Sequence, residues 1–167
     1  MKKLSWMLAA ILLCGTLFVS CNKETDTIET TSSAATQVNP ADLVGTWTGT
    51  KSGICTYDNT QKSYTINWTI NFQTETAGTI NAAVSITGEG NVNNGYTFTS
   101  YGIRQNTDNG YIQATMSGNP NPLALIYFEF TINMNNKTFV GDFTTGISDN
   151  NDNPITLGGE TTFTKQN

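Results

Sequence analysis

The chain reads as an all-β domain, an antiparallel up-and-down β-barrel of eight or nine strands. Three observations predict it. Apolar and polar residues alternate with period two through most of the chain beyond residue 40. Turn signals rich in Gly, Asn and Pro interrupt that alternation at short intervals. No helical period follows the N-terminal apolar stretch. Many short strands with exposed edges gain most from closing on themselves, which removes the edges. A β-sandwich of the same strands is the alternative architecture.

Val44 to Thr50 supplies the first strand. Tyr64 to Phe72 is the clearest element. Tyr64, Ile66, Trp68, Ile70 and Phe72 point one way, and Thr65, Asn67, Thr69 and Asn71 the other. Aromatic and β-branched residues on the dry face suit a pleated surface. Ile80, Ala82, Val84 and Ile86 repeat the pattern, then Tyr96 and Phe98, then Ile112, Ala114 and Met116. In Leu123 to Ile132, Ile126, Phe128, Phe130 and Ile132 share one face. Leu123, Leu125, Tyr127 and Glu129 share the other. Phe139 and Phe143 flank Gly141 on one face of the next strand, and Leu157 and Phe163 belong to the last. Gly88-Glu89-Gly90, Asn93-Asn94-Gly95, Asp108-Asn109-Gly110, Gly118-Asn119-Pro120 and Asn135-Asn136-Lys137 are the expected breaks or reversals.

Residues 1–20 read as an export leader. Lys2 and Lys3 form a charged start, Leu4 to Val19 an apolar run, and Ser20 a small residue before Cys21. The apolar run of about 16 residues is short for a membrane span, which needs about 20. Phe18-Val19-Ser20-Cys21 resembles the lipobox of bacterial lipoproteins, in the relaxed form of Bacteroidetes. The resemblance implies that Cys21 is lipidated and holds the protein on the outer membrane, facing outward or into the periplasm. An anchor of more than one acyl chain is lasting, whereas one chain binds marginally. Residues 21–39 read as a tether too poor in large apolar side chains to offset chain entropy. About 18 such residues reach roughly 20–25 Å. Asn22-Lys23-Glu24 resembles the surface-export signal of such lipoproteins, and Asp26-Thr27-Ile28 their O-glycosylation motif.

Residues 40–167, about 128 in all, can bury one core but not two. The net charge is −5, and histidine is absent. Arg104 and four lysines are the only cations of this domain, too few for a nucleic-acid footprint. Without histidine the chain lacks the usual general base, the usual activator of a nucleophile and the commonest metal ligand. We therefore expect no catalysis, no cofactor and no metal site. Cys55, the one thiol left after processing, reads as a small buried hydrophobe. Asp149-Asn150-Asn151-Asp152-Asn153 has the ligand spacing of a calcium loop, with Glu160 at its twelfth position. Pro154 stands where that loop needs glycine, so a polar turn is the simpler reading.

Leu43-Val44-Gly45-Thr46-Trp47 resembles the Gly-x-Trp opening of the lipocalin and calycin superfamily. The resemblance implies a lipocalin-like barrel, with Trp47 plugging its closed end beside Gly45 and Lys165 lying over the indole. It also implies a small hydrophobic or aromatic ligand inside, touched by Tyr64, Trp68, Phe72, Phe98 and Phe128. The two ends of the domain also resemble avidin-type barrels. Their biotin-binding pattern has Asn two residues after the tryptophan, where this chain has Gly49. The other open reading is a cell-surface module that meets a protein or glycan through its loops or outer wall. An external patch of Leu123, Leu125 and Tyr127 would suit it.

Overall fold

The computed structural model describes residues 38–105, 107–117 and 125–167. One short helix and eight strands make up these residues. They are α1 (Pro40–Leu43), β1 (Gly45–Tyr57), β2 (Thr60–Phe72), β3 (Gly78–Ile86), β4 (Asn91–Ile103), β5 (Asn109–Met116), β6 (Leu125–Asn133), β7 (Thr138–Ser148) and β8 (Pro154–Lys165). Each strand pairs antiparallel with the next, and β8 returns to β1, closing an up-and-down barrel.

The alternation read from the sequence becomes the barrel's inside and outside. In β2, Tyr64, Ile66, Trp68, Ile70 and Phe72 are buried, while Asn67 and Thr69 face solvent. In β6, Phe128, Phe130 and Ile132 are buried, and Leu125, Tyr127, Glu129 and Thr131 are exposed. Apolar side chains thus fill the interior, and the outer wall is mainly Thr, Asn and Ser. Val44, Ile54, Val92, Leu125 and Tyr127 are the exposed large apolar residues among those described.

Four departures from the sequence reading have local causes. First, β1 runs seven residues beyond the expected Thr50, to a two-residue hairpin at Asp58 and Asn59. Both have positive φ, 46° and 60°, which suits the right-handed twist of the flanking strands. Second, a one-turn helix precedes β1. Asn39 caps it by accepting from the Ala41 N–H, Pro40 stands in the first turn, and the Asp42 side chain reaches back to the Asn39 N–H. Four residues are too few to display a helical period. Third, Asn93-Asn94-Gly95 is not a reversal but lies inside β4, paired with Ala83, Ala82 and Asn81. Asn94 is tolerated there because its buried amide is satisfied. Fourth, in β4 a bulge between Phe98 and Ser100 resets the parity. Phe98 and Tyr101, three residues apart, therefore both face inward. Asn109 and Gly110 open β5, so the preceding reversal ends at Asp108. Gly118-Asn119-Pro120 lies outside the described residues.

Candidate functional site

Three regions could carry function: the interior, the base and the outer wall. The base is built where the chain enters and leaves the barrel. Trp47 is fully buried, and its Nε1 donates to the Leu43 carbonyl at 2.8 Å. Its ring lies 5.0 Å from that of Phe139. Lys165 Nζ stands 5.6 Å from the Trp47 ring and donates to the Asp42 carbonyl at 2.6 Å. The Gln166 N–H adds a bond to the Thr46 carbonyl. Gly45 has φ +127°, a conformation that side chains resist, and a Cβ there would sit 3.1 Å from Lys165 Cε. Gly45, Trp47 and Lys165 thus meet at one end, under α1. Tyr101, which period two alone does not reveal, joins them. Its hydroxyl donates to the carbonyls of Pro40 and Thr74, at 3.1 and 2.9 Å. Burial, and then the charge of Glu75, push its pKa up to about 12.

The five candidate ligand-contacting aromatics all face the interior, and four of them, Trp68, Phe72, Phe98 and Phe128, pack against other rings. Phe72 packs edge-on against Phe98 and Tyr101, with centroids 5.4 and 4.8 Å apart. Trp68 is edge-on to Phe143 at 5.8 Å and to Phe128 at 6.5 Å. Phe128 lies flat on Phe143, 4.7 Å away and 7° from parallel. Phe143 continues to Phe163 at 4.6 Å. Trp68, Phe72, Phe98 and Phe128 each keep at most 2% of their surface exposed. Trp68 fits because its register partners on either side, Gly49 and Ala82, are small. Its Nε1 is buried and has no hydrogen-bond partner among the described residues.

Nearer the mouth the interior turns polar. Asn94 Nδ2 donates to Thr145 Oγ1 at 2.8 Å and to the Gly146 carbonyl at 2.7 Å. The Tyr96 hydroxyl meets the same Thr145 at 2.6 Å. Burial raises the Tyr96 pKa. Tyr64 crosses over Gly53, and its hydroxyl reaches the Gly158 carbonyl at 3.3 Å. At the rim, Asn150 and Asn151 donate to the Asp58 carboxylate, latching the β7–β8 loop onto the β1–β2 turn. Within that loop Asp149 accepts from the N–H groups of Asn151 and Asn153 and from the Asn153 amide, so it works as a polar turn. Those bonds, the Asn153 side chain first, hold its carboxyl below the ordinary range. Among the described residues no group of three or more Cys, Asp or Glu is placed to hold a metal ion. Cys55 is buried, and burial raises its pKa, which keeps the thiol protonated. Cys21 and Leu123 lie outside the described residues.

The outer wall carries the remaining candidates. Glu129 points to solvent and pairs with Arg104 at 2.5 Å. Leu125 and Tyr127 stand beside it, 43% and 62% exposed. A groove of about 790 Å³ runs over the β6–β8 face, bordered by Glu129, Asp142 and Glu160. A smaller recess of about 160 Å³ lies between Thr97, Gln113 and Leu125. No family model, curated protein or solved structure matches this chain.

Proposed function

We propose that the chain is a membrane-tethered interaction module that meets a protein or glycan through its outer surface. One observation carries this reading: side chains fill the barrel. Four of the five rings that a hydrophobic ligand would touch, Tyr64 excepted, are spent on one another and on Phe143, at 4.7–6.5 Å between centroids. An eight-stranded barrel is just wide enough to be packed in this way. The exposed pair Leu125 and Tyr127 adds an apolar contact to an otherwise polar wall. In this reading Cys21 is the lipid anchor, the outer membrane is the location, and no catalytic step is involved.

A second reading keeps a small hydrophobic or aromatic molecule inside. The observation that favours it is Trp68 Nε1, a buried donor without an acceptor. Native mass spectrometry separates the two readings. The mature protein is extracted from its own membrane and freed of detergent in the gas phase. A bare lipoprotein mass is the expected result. A discrete extra mass that disappears under denaturing spray would move the site from the wall to the interior.

A further inference from the structure

The ladder between β6 and β7 is short. It joins Phe130 to Gly141, Thr131 to Val140, Ile132 to Phe139 and Asn133 to Thr138, and there it ends. Both strands run on past the fork, β6 through Leu125–Glu129 and β7 through Asp142–Ser148. Across this stretch β6 is paired with β5 on its other side, and β7 with β8. Among the described residues, no strand pairs with their facing edges. Backbone N–H and C=O groups require partners, and a row of them along an edge is a template for another strand.

The surroundings of the fork say what kind of strand fits. The stacked rings of Phe128 and Phe143 close the interior behind it. Asn94 braces β7 from inside through Thr145 and Gly146. Outside, a groove of about 790 Å³ lies over the paired end of the ladder, between Arg104, Thr131 and Val140, and reaches the fork at Glu129 and Asp142. Asp142 and Glu160 face each other directly across the β7–β8 ladder on its floor. Among the described residues the ion pairs are Lys62–Glu89 and Arg104–Glu129; Asp142 and Glu160 form none, and the Lys51 ammonium donates to the Glu160 backbone carbonyl at 3.1 Å. Leu125 and Tyr127 stand exposed on the β6 bank.

We infer that the β6–β7 seam accepts an extended, basic peptide segment of a protein partner as an added strand. The inference rests on the outer-surface reading and names its partner class, a polypeptide rather than a glycan. Backbone bonds to the open edges supply affinity and register. The outward set of alternate side chains supplies specificity, cations toward Asp142 and Glu160 with their aliphatic stems along Leu125 and Tyr127, while the set between them turns inward onto the Phe128 and Phe143 rings.

The test uses the full mature chain and a short peptide of alternating lysine and valine. Two controls accompany it, one with alternate backbone amides N-methylated and one with glutamate for lysine. Amide hydrogen exchange and fluorescence anisotropy are the readouts. The lysine peptide should slow exchange in Leu125–Glu129 and Asp142–Ser148, and its binding should weaken with salt. N-methylation should cost about tenfold or more in affinity, since several backbone bonds are lost. Asp142→Asn combined with Glu160→Gln should weaken the lysine peptide while leaving the fold intact. Equal binding of the N-methylated peptide, or no protection in these two segments, would overturn the inference. So would protection of the same amides by a second copy of the chain without peptide. A glycan bound elsewhere on the wall, with the seam unprotected, would sink the strand site yet leave the outer-surface reading standing. A small molecule found inside the barrel would instead sink the outer-surface reading.

Discussion

Single residues do most of their work here through burial. Phe143 touches Trp68, Phe128, Phe139 and Phe163. Phe143→Ala should cost about 3–5 kcal/mol, measured as a lower urea midpoint at unchanged slope. Lys165→Met should cost about 1–2 kcal/mol, because the half-buried cation over Trp47 and its bond to the Asp42 carbonyl are lost while the aliphatic stem is retained. Tyr101 gives a pH signature. Its proton is held by two carbonyls, and its pKa lies near 12 rather than 10. Above pH 10 the unfolded chain releases that proton while the folded one keeps it. Stability is therefore whole below 10 and falls as pH rises toward 12. Denaturant titrations across that window should show the decline, and Tyr101→Phe should flatten it. Of these residues, Phe143 and Lys165 are legible in the sequence from alternation and from the Gly-x-Trp opening. Tyr101 is not, because the bulge that turns it inward is a property of the β4–β5 pairing.

The β7–β8 hairpin is the element with the least support from its neighbours. Its own ladder runs from Thr138 to Ser148, but β6 holds β7 through four residue pairs and β1 holds β8 through three. Side chains brace its upper half instead: Asn94 on Gly146, Tyr64 on Gly158 and Lys51 on the Glu160 carbonyl. Gly158, at φ +124°, is where the strand bends; a Cβ there would lie 2.1 Å from the Phe143 carbonyl oxygen. Asn94→Ala should cost about 1–2 kcal/mol, since it removes the bonds to Thr145 and Gly146 while Thr145 keeps its bond to Tyr96. Hydrogen exchange should show Thr144–Ser148 opening before β2 and β3, and this variant should widen the gap. Conversely, Asp142→Asn should raise stability by about 0.2–1 kcal/mol, because Asp142 and Glu160 are like charges directly opposite. Strand identity was legible from alternation, and so were most turns. The two short ladders were not: β1 and β8 lie at opposite ends of the domain's sequence, and the fork in the β6–β7 hairpin leaves no mark on the alternation of either strand. Asn94 shows the same limit from the other side. An Asn-Gly pair signals a turn unless a partner far along the chain satisfies the amide.

At the scale of the whole molecule, the barrel is a meander closed by one distant contact. Seven ladders join consecutive strands, and only β1 with β8 brings the chain's two ends together. That closure spans three residue pairs, clasped by Trp47 and Lys165. Bringing distant segments together costs loop entropy, so we expect the clasp to form after the folding transition state. Stopped-flow kinetics should find that Lys165→Met speeds unfolding and leaves refolding nearly unchanged. A core substitution in β2 or β3 should slow refolding instead. The closed architecture was legible from strand number and turn spacing alone. The filling of its interior was not, since an inward aromatic reads the same whether it faces a ligand or another ring. The chain's three tryptophans are Trp6, in the N-terminal apolar run, Trp47 at the base and Trp68 midway up the barrel. The two in residues 38–167 are both buried, and they sit at different heights. The protein therefore carries its own optical gauge. With Phe in place of one tryptophan or the other, the colour of the remaining emission tells which level of the barrel water has reached.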